Sequence, residues 1–320
     1  MPDVIMFEGI RKRTLERCVL RMKTGEEVIV DGEIRDRAVW AADVYAAGPA
    51  AAKFFGKKGL GWWRNSLLAL AKRQYPDGKL PACVDLNGKY RILSRWFDSY
   101  GLYWILSARE YLKKTRDPGF EEVFLGVAEK AGRYYSTDGL YRAGMIDLHW
   151  NWTILRPRIN VENNALFYAV TKKEGFRELF WRKFFNQKSG LLKEPGSKAV
   201  FLDGNCLAVM YDLVPKGKMK KFILALRRFE TPLGPRSYIG NAKSVVGWHK
   251  DLICPFTAYL YVRALMKEGD EVGAKRVFEV TMRAGEWETM PEFWKTDGRI
   301  WPGTSLCHSW GTFGGSGGIF

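Results

Sequence analysis

Apolar positions along the chain recur mostly at helical spacing. In SYGLYWILSAREYL, residues Tyr100, Tyr103, Trp104, Ser107, Ala108 and Tyr111 fall on one stripe at i, i+3, i+4, i+7, i+8 and i+11. That is the pattern of a helix with one face toward a core. LGWWRNSLLALAKR repeats it with Leu60, Trp63, Leu67, Leu70 and Ala71. Strand-like alternation is confined to short runs between helices, such as EVIV and AVFL. The breakers predict twelve helical segments, near 8–22, 39–55, 60–75, 94–114, 118–136, 159–174, 176–187, 204–214, 217–230, 251–267, 270–284 and 304–312.

The connections alternate in length. GKKG, RDPG, KEG, VPKG and EGDE are short, whereas TGEEVIVDGEIRDR, PDGKLPACVDLNGKYRIL, TDGLYRAGMIDLHWNWTILRPR, NQKSGLLKEPGSKAVFLD, TPLGPRSYIGNAKSVVGWHK and EWETMPEFWKTDGRIWPG are long. A short connection forces its two helices antiparallel, so the long connections are expected at one end. Odd-numbered segments begin near 8, 60, 118, 175, 217 and 270, a helical-hairpin period of roughly fifty residues. Six hairpins with their long loops on one face predict an all-α (α/α)6 toroid, a single barrel domain over 1–320. An open α-solenoid is the competing arrangement, but solenoid repeats resemble one another and these hairpins do not.

Composition narrows the partners more than the fold. The 320 residues are 47% apolar and 27% charged, ordinary globular usage. Thirteen tryptophans suit a large core or a cleft that stacks flat ligands. The formal net charge of +16 admits nucleic acid, an anionic polymer or an acidic partner, yet Lys and Arg are spread along the chain. The densest run, KGKMKKFILALRRF from Lys216 to Phe229, alternates with apolar residues at helical spacing and reads as a solvated helix face. No specific nucleic-acid binding is expected. Cys18, Cys83, Cys206, Cys254 and Cys307 are far apart without a CxxC, which fits free thiols in a reducing, cytoplasmic setting. His149, His249 and His308 lack zinc-site spacing, so neither a metal nor another cofactor is expected. No stretch approaches about eighteen apolar residues, so no membrane span is expected. MPDVIMFEGIRKR lacks the pattern of a secretory signal. GTFGGSGG lacks the Lys-Ser/Thr of a phosphate loop and reads as a tail.

Long loops usually carry function. The first, VDGEIRDRAVWAADVY with the start of its helix, gathers Asp31, Glu33, Arg35, Asp36, Arg37 and Asp43 around Trp40. The last, EWETMPEFWKTDGRIWPGTSLCHSW, mirrors it with Glu286, Glu288 and Glu292, three tryptophans, then His308 and Trp310. SRWFDS and IDLHWNW add Trp96 and Trp150. Singly, each has a plainer reading: Asp43 as a helix N-cap, Glu286 and Glu288 as surface residues, Trp63, Trp104 and Trp181 as core. Jointly they suit glycosidic bond cleavage, in which one acid protonates the leaving oxygen and a second carboxylate activates water or attacks directly.

The run DGEIRDRAVWAAD resembles the signature of the α-L-rhamnosidases, glycoside hydrolase family 78. Their catalytic loop begins with Asp, then Arg four residues later, an acid, a Trp and a second Asp. LICPFTAYLYVRALMKEGDEVGAKRVFEVTM, followed by MPEFW and TSLCHSW, resembles that family's C-terminal barrel region. The resemblance implies an (α/α)6 barrel and hydrolysis with inversion. It implies that Asp31, Arg35, Trp40 and Asp43 contact the sugar, that Trp96 and Trp150 wall it, that Glu292 is the base activating water, and that His308 lies near the sugar. The family's commonest pattern is Arg-Asp-Glu-Arg, with Glu as general acid. Here Arg35-Asp36-Arg37 is one residue shorter, and Asp36 is the natural substitute; Glu288 is the competing base. The family's flanking β-sandwich domains are expected to be absent, with a homodimer or an accessory subunit as ways to supply one. Two rivals stand beside a rhamnosidase-like hydrolase. One is another activity on the same barrel, a glucosidase, uronyl hydrolase or lyase. The other is a non-catalytic toroid that binds carbohydrate or polyanion.

Overall fold

A computed structural model of the chain describes residues 2–90, 92–144, 157–241, 251–284, 287–300 and 304–313. They fall into two compact units. Unit 1 comprises Met1–Ser136, Trp287–Glu292 and Pro302–Phe320; unit 2 comprises Thr137–Glu286 and Phe293–Trp301. Among the described residues there are ten α-helices, and every sheet is a two-stranded antiparallel pair.

Unit 1 holds α1 (Pro2–Arg17), α2 (Ala41–Ala71), α3 (Asp98–Thr115) and α4 (Pro118–Tyr134). Helix α2 is two segments in one. Gly56 breaks it at φ 55, ψ −127, a conformation only glycine adopts readily. A Cβ at Gly59 would lie 1.8 Å from the Ala51 carbonyl oxygen, so the chain doubles back on itself there. The expected separate segments at 39–55 and 60–75 are therefore both present. The two apolar stripes read from the sequence meet in this unit: buried Trp63 donates Nε1–H to Ser107 Oγ at 2.9 Å, and buried Trp104 donates to the Leu67 carbonyl at 3.0 Å. Each indole thus spends its one polar atom while burying its rings.

Unit 2 holds α5 (Val161–Thr171), α6 (Phe176–Phe184), α7 (Leu202–Met210), α8 (Met219–Leu226), α9 (Pro255–Lys267) and α10 (Glu271–Arg283). Helices α5, α7 and α9 are buried along most of their length. Helices α6, α8 and α10 bury one stripe each, Phe176, Phe180 and Phe184 in α6. Largely buried helices thus alternate along the chain with amphipathic ones that turn a single stripe inward. Start signals behave as their chemistry dictates: Asn160 accepts from Asn163 N, and Asp270 accepts from Gly273 N.

The helix expected near 304–312 does not form. That stretch carries only a 3-10 turn, Ser309–Thr312. Its backbone is engaged elsewhere: His308 N–H donates to the Met290 carbonyl and Ser309 N–H to the Asp31 carbonyl, at 2.9 and 2.8 Å. A donor spent on a neighbouring loop cannot close a helical turn.

Candidate active site

Unit 1 brings the first and last long loops together. The loop after strand Glu27–Ile29 is closed by Asp31, whose N–H donates to the Ala38 carbonyl at 3.0 Å and whose Oδ1 accepts Ala38 N–H at 2.9 Å. Within it, Asp36 and Arg37 are left-handed, at φ 61 and 47. Two consecutive non-glycine residues in that region cost about 1–3 kcal/mol each, a feature that clusters at functional sites. Arg35 and Asp36 are half-buried there and Arg37 is exposed. Gly32 forms a β-bridge with His308. A Cβ on Gly32 would meet Ser305 Oγ at 2.7 Å and the Cys307 carbonyl at 3.3 Å, so the two loops can approach only at a glycine.

The 304–310 segment then lies between the Asp31 loop and the 290–292 stretch. Ser309 Oγ donates to Asp43 Oδ1 at 3.0 Å, in the first turn of α2. Glu292 donates its N–H to the Ser305 carbonyl at 2.9 Å. Its carboxylate is buried and asymmetric. Oε2 accepts from Arg35 Nη2, from Ser305 N–H at 3.3 Å and from Thr304 Oγ1 at 3.5 Å. Oε1 lies 3.9 Å from His308 Nε2. His308 Nδ1 accepts Trp310 N–H at 3.3 Å, which puts the imidazole proton on Nε2, facing Glu292. Arg35 Nε lies 3.8 Å from Asp36 Oδ2, so one guanidinium links Asp36 with Glu292.

The electrostatics follow from this crowding. Burial pushes the Asp31 and Asp43 carboxyls well above the ordinary range, and neighbouring carboxylates push further in the same direction. Burial also raises Glu292, although the Arg35 charge and the Ser305 N–H pull it back. Burial and the Arg35 charge hold His308 far below its usual value, so the imidazole is neutral. Burial opposes the charge on Arg35, but Glu292, Asp36 and Asp31 together outweigh it. Three buried carboxyls crowded together, with the guanidinium bonded to Glu292, resist ionising together.

Among the aromatics, half-buried Trp40 packs edge-on against Phe97 and Tyr100, at 5.6 and 5.5 Å between centroids. Trp96, next in the chain to Phe97, is 38% exposed. The Trp310 ring lies 4.5 Å from the His308 ring. Trp150 and Glu286 lie outside the described residues. Glu288 is exposed, whereas Glu292 is 5% exposed. Sequence reading passed over Thr304, Ser305 and Ser309, which orient Glu292 and Asp43. Their signal was three hydroxyl residues flanking Cys307 and His308 in TSLCHS. It also passed over buried Glu162 and Asp203 in unit 2, each the second residue of its helix.

No protein-family model matches the chain, and no curated protein matches it by sequence. Solved structures do match its fold. A rhamnosidase from Klebsiella oxytoca with rhamnose bound aligns over 98% of this chain and 62% of its own, at a TM-score of 0.72 and 14% identity. A wild-type glycosidase aligns over 97% of this chain and 95% of its own, at 0.69 and 13%. A family 78 rhamnosidase of Bacillus sp. GL1 aligns over 98% of this chain but 34% of its own, at 0.68 and 13%. The chain thus spans under two thirds of the length of the two rhamnosidases.

Proposed function

We propose that the protein is a glycoside hydrolase, α-L-rhamnosidase-like, acting with inversion on a terminal sugar from a single (α/α)6-barrel catalytic domain. The observation that carries this reading is Glu292. It is buried, held through Oε2 by Arg35, Ser305 and Thr304, and one guanidinium away from half-buried Asp36. In the proposed reaction Glu292 takes a proton from water as that water attacks the anomeric carbon. Asp36 gives a proton to the leaving oxygen as the glycosidic bond breaks on the opposite face. An inverting pair needs a gap of roughly 6.5–9.5 Å for its water, and a guanidinium between the carboxylates is consistent with such a gap. Asp36 is preferred as donor over Asp31 and Asp43 because those two are 4% and 1% exposed and tied into loop bonds.

Asp31, Arg35, Trp40, Asp43, Trp96, Trp150 and His308 are proposed to surround the sugar. The fold shared with a rhamnose-bound rhamnosidase supports a carbohydrate substrate. The test is turnover of a panel of aryl glycosides, with product anomers followed by NMR. Release of the inverted anomer, led by the α-L-rhamnoside, is the expected result. Retention would overturn the inverting mechanism, and sugar binding without any turnover would favour the non-catalytic alternative.

A further inference from the structure

A cleft of about 650 Å³ opens in unit 2 beside α6, lined by Arg177, Glu178, Trp181, Arg182, Leu213 and Pro215 among others. Helix α6 presents two faces. Phe176, Phe180 and Phe184 are buried; Arg177, Glu178, Trp181 and Arg182 form the other face, at i, i+1, i+4 and i+5. Trp181 has one side supported: it stacks on Phe185 at 4.2 Å, and Phe222 of α8 lies 6.1 Å away. Arg177, Glu178 and Arg182 are exposed. Among the described residues neither Arg177 nor Arg182 takes part in an ion pair, unlike Arg227 of the neighbouring 3-10 turn, which pairs with Asp270. Lys216 follows Pro215 in the chain, and with Lys218, Lys220 and Lys221 it is exposed and likewise outside the ion pairs of the described residues. The basic run that the sequence suggested was a solvated helix face therefore lies next to an indole-walled cleft.

We propose that this cleft binds an acidic oligosaccharide. A guanidinium fork matches a carboxylate or sulfate group, and an indole wall takes the apolar face of a sugar ring. Glu178 chooses between polyanions. Its carboxylate can accept hydrogen bonds from sugar hydroxyls, which the internal sugars of an oligodeoxynucleotide do not carry. The surrounding lysines raise the local concentration of any anion without selecting one. This inference does not depend on the hydrolase reading, since no residue of the Glu292 site takes part.

Binding is measured by calorimetry at about 150 mM salt, where dispersed surface charge is largely screened, in the full chain carrying Glu292→Gln. The probes are a galacturonate oligomer, a sulfated oligosaccharide, neutral dextran and single-stranded oligo-dT. The expected result is saturable binding of one or both acidic glycans, weakened at least tenfold by Trp181→Ala and by Arg177→Gln/Arg182→Gln. The arginine pair is exposed, so those substitutions leave the fold intact, as the circular-dichroism melt will verify. Equal or tighter binding of oligo-dT, equal binding of dextran, or acidic-glycan affinity unmoved by the arginine variant would each overturn the proposal. So would no binding at all. Failure of the hydrolase reading would show instead as no turnover by the wild-type chain.

Discussion

The two units bury polar side chains in contrasting ways. Unit 2 relies on amides. Asn164 of α5 accepts Tyr141 N–H at 2.7 Å and donates to the Tyr141 and Asn160 carbonyls at 3.0 and 2.8 Å. Asn205 of α7 repeats the device, with Leu192 N–H at 2.9 Å and the Leu192 and Phe201 carbonyls at 3.0 and 2.7 Å. An amide carries a donor and an acceptor but no charge, so its burial can be fully compensated. Unit 1 instead gathers Asp31, Asp43 and Glu292 around Arg35 and a neutral His308. Carboxylates only accept when ionised, and crowding them raises the cost of ionisation. Unit 2 buries Glu162, Glu194 and Asp203 as well, so acidity alone does not separate the units. The difference is the convergence of several acids on one cation and one imidazole. Such an arrangement costs stability, and it persists where chemistry needs shifted acids.

The largest effect should come from breaking the chemistry proposed for unit 1 while leaving its shape. Glu292→Gln keeps an acceptor for Ser305 N–H but removes the proposed base. General acid–base help is worth roughly 10²- to 10⁴-fold, so kcat on an aryl glycoside should fall at least that far while sugar binding survives. Exposed Glu288→Gln should turn over like the wild type. The reverse pattern would transfer the base to Glu288, and normal rates in both would sink the hydrolase reading.

In unit 2 the corresponding cut is structural. Asn205→Ala strands the Leu192 N–H and carbonyl in a buried site. At about 1–3 kcal/mol for each unsatisfied group, urea unfolding should report a loss of roughly 2–6 kcal/mol. A loss below about 0.5 kcal/mol would mean that the amide clamp is not what joins α7 to the 191–192 strand.

Much of this contrast was legible in the sequence, though unevenly. The stripes of Tyr100–Tyr111 and Leu60–Ala71 announced two helices that do pack together, because periodicity reports burial directly. The breaks in the 39–75 region were legible as glycines, and Gly56 is one of them. The Asp31 and Glu292 loops were legible as composition, acids and tryptophans where a solvated loop has neither reason for them. What escaped was whatever depends on long-range pairing. Ser309 has strong local reasons to sit in a turn, and nothing nearby in the chain indicates that its hydroxyl meets Asp43. The helix expected at 304–312 failed for the same reason, since its donors go to residues far away in sequence. The likeness of VENN to LDGN, one acid and one clamping Asn at the start of each helix, became evident only when Asn164 and Asn205 were seen to do one job.

A subtler cut tests the cost of unit 1's acids. Asp43→Asn keeps the acceptor for Ser309 Oγ and removes an ionisable group from a site that resists charge. A neutral isostere escapes the penalty that burial sets on the charged carboxylate, so the free energy of urea unfolding at neutral pH should hold or rise. A fall of more than about 1 kcal/mol would show that the ionised Asp43 is itself structural, through His308 or Ser309.

The smallest effect lies in pH dependence, where the site's two kinds of group work against each other. Asp31, Asp43 and Glu292 hold protons more tightly folded than unfolded. Their stabilisation is complete below the ordinary carboxylate range of about 4 and is lost as pH rises through their raised folded values. His308 holds its proton less tightly folded than unfolded. Its stabilisation is complete above the ordinary imidazole value of about 6.5 and is lost as pH falls below it. Between those limits the two slopes have opposite sign. His308→Asn should isolate them, because its Oδ1 can accept Trp310 N–H in place of Nδ1. The variant's stability should then decline with rising pH more steeply than the wild type's. Its deficit relative to wild type should be larger at pH 7 than at pH 5. A deficit that shrinks as pH rises would mean that His308 is charged in the folded protein, held by Glu292 and Asp43. The proposed neutral imidazole beside Glu292 would then have to be given up.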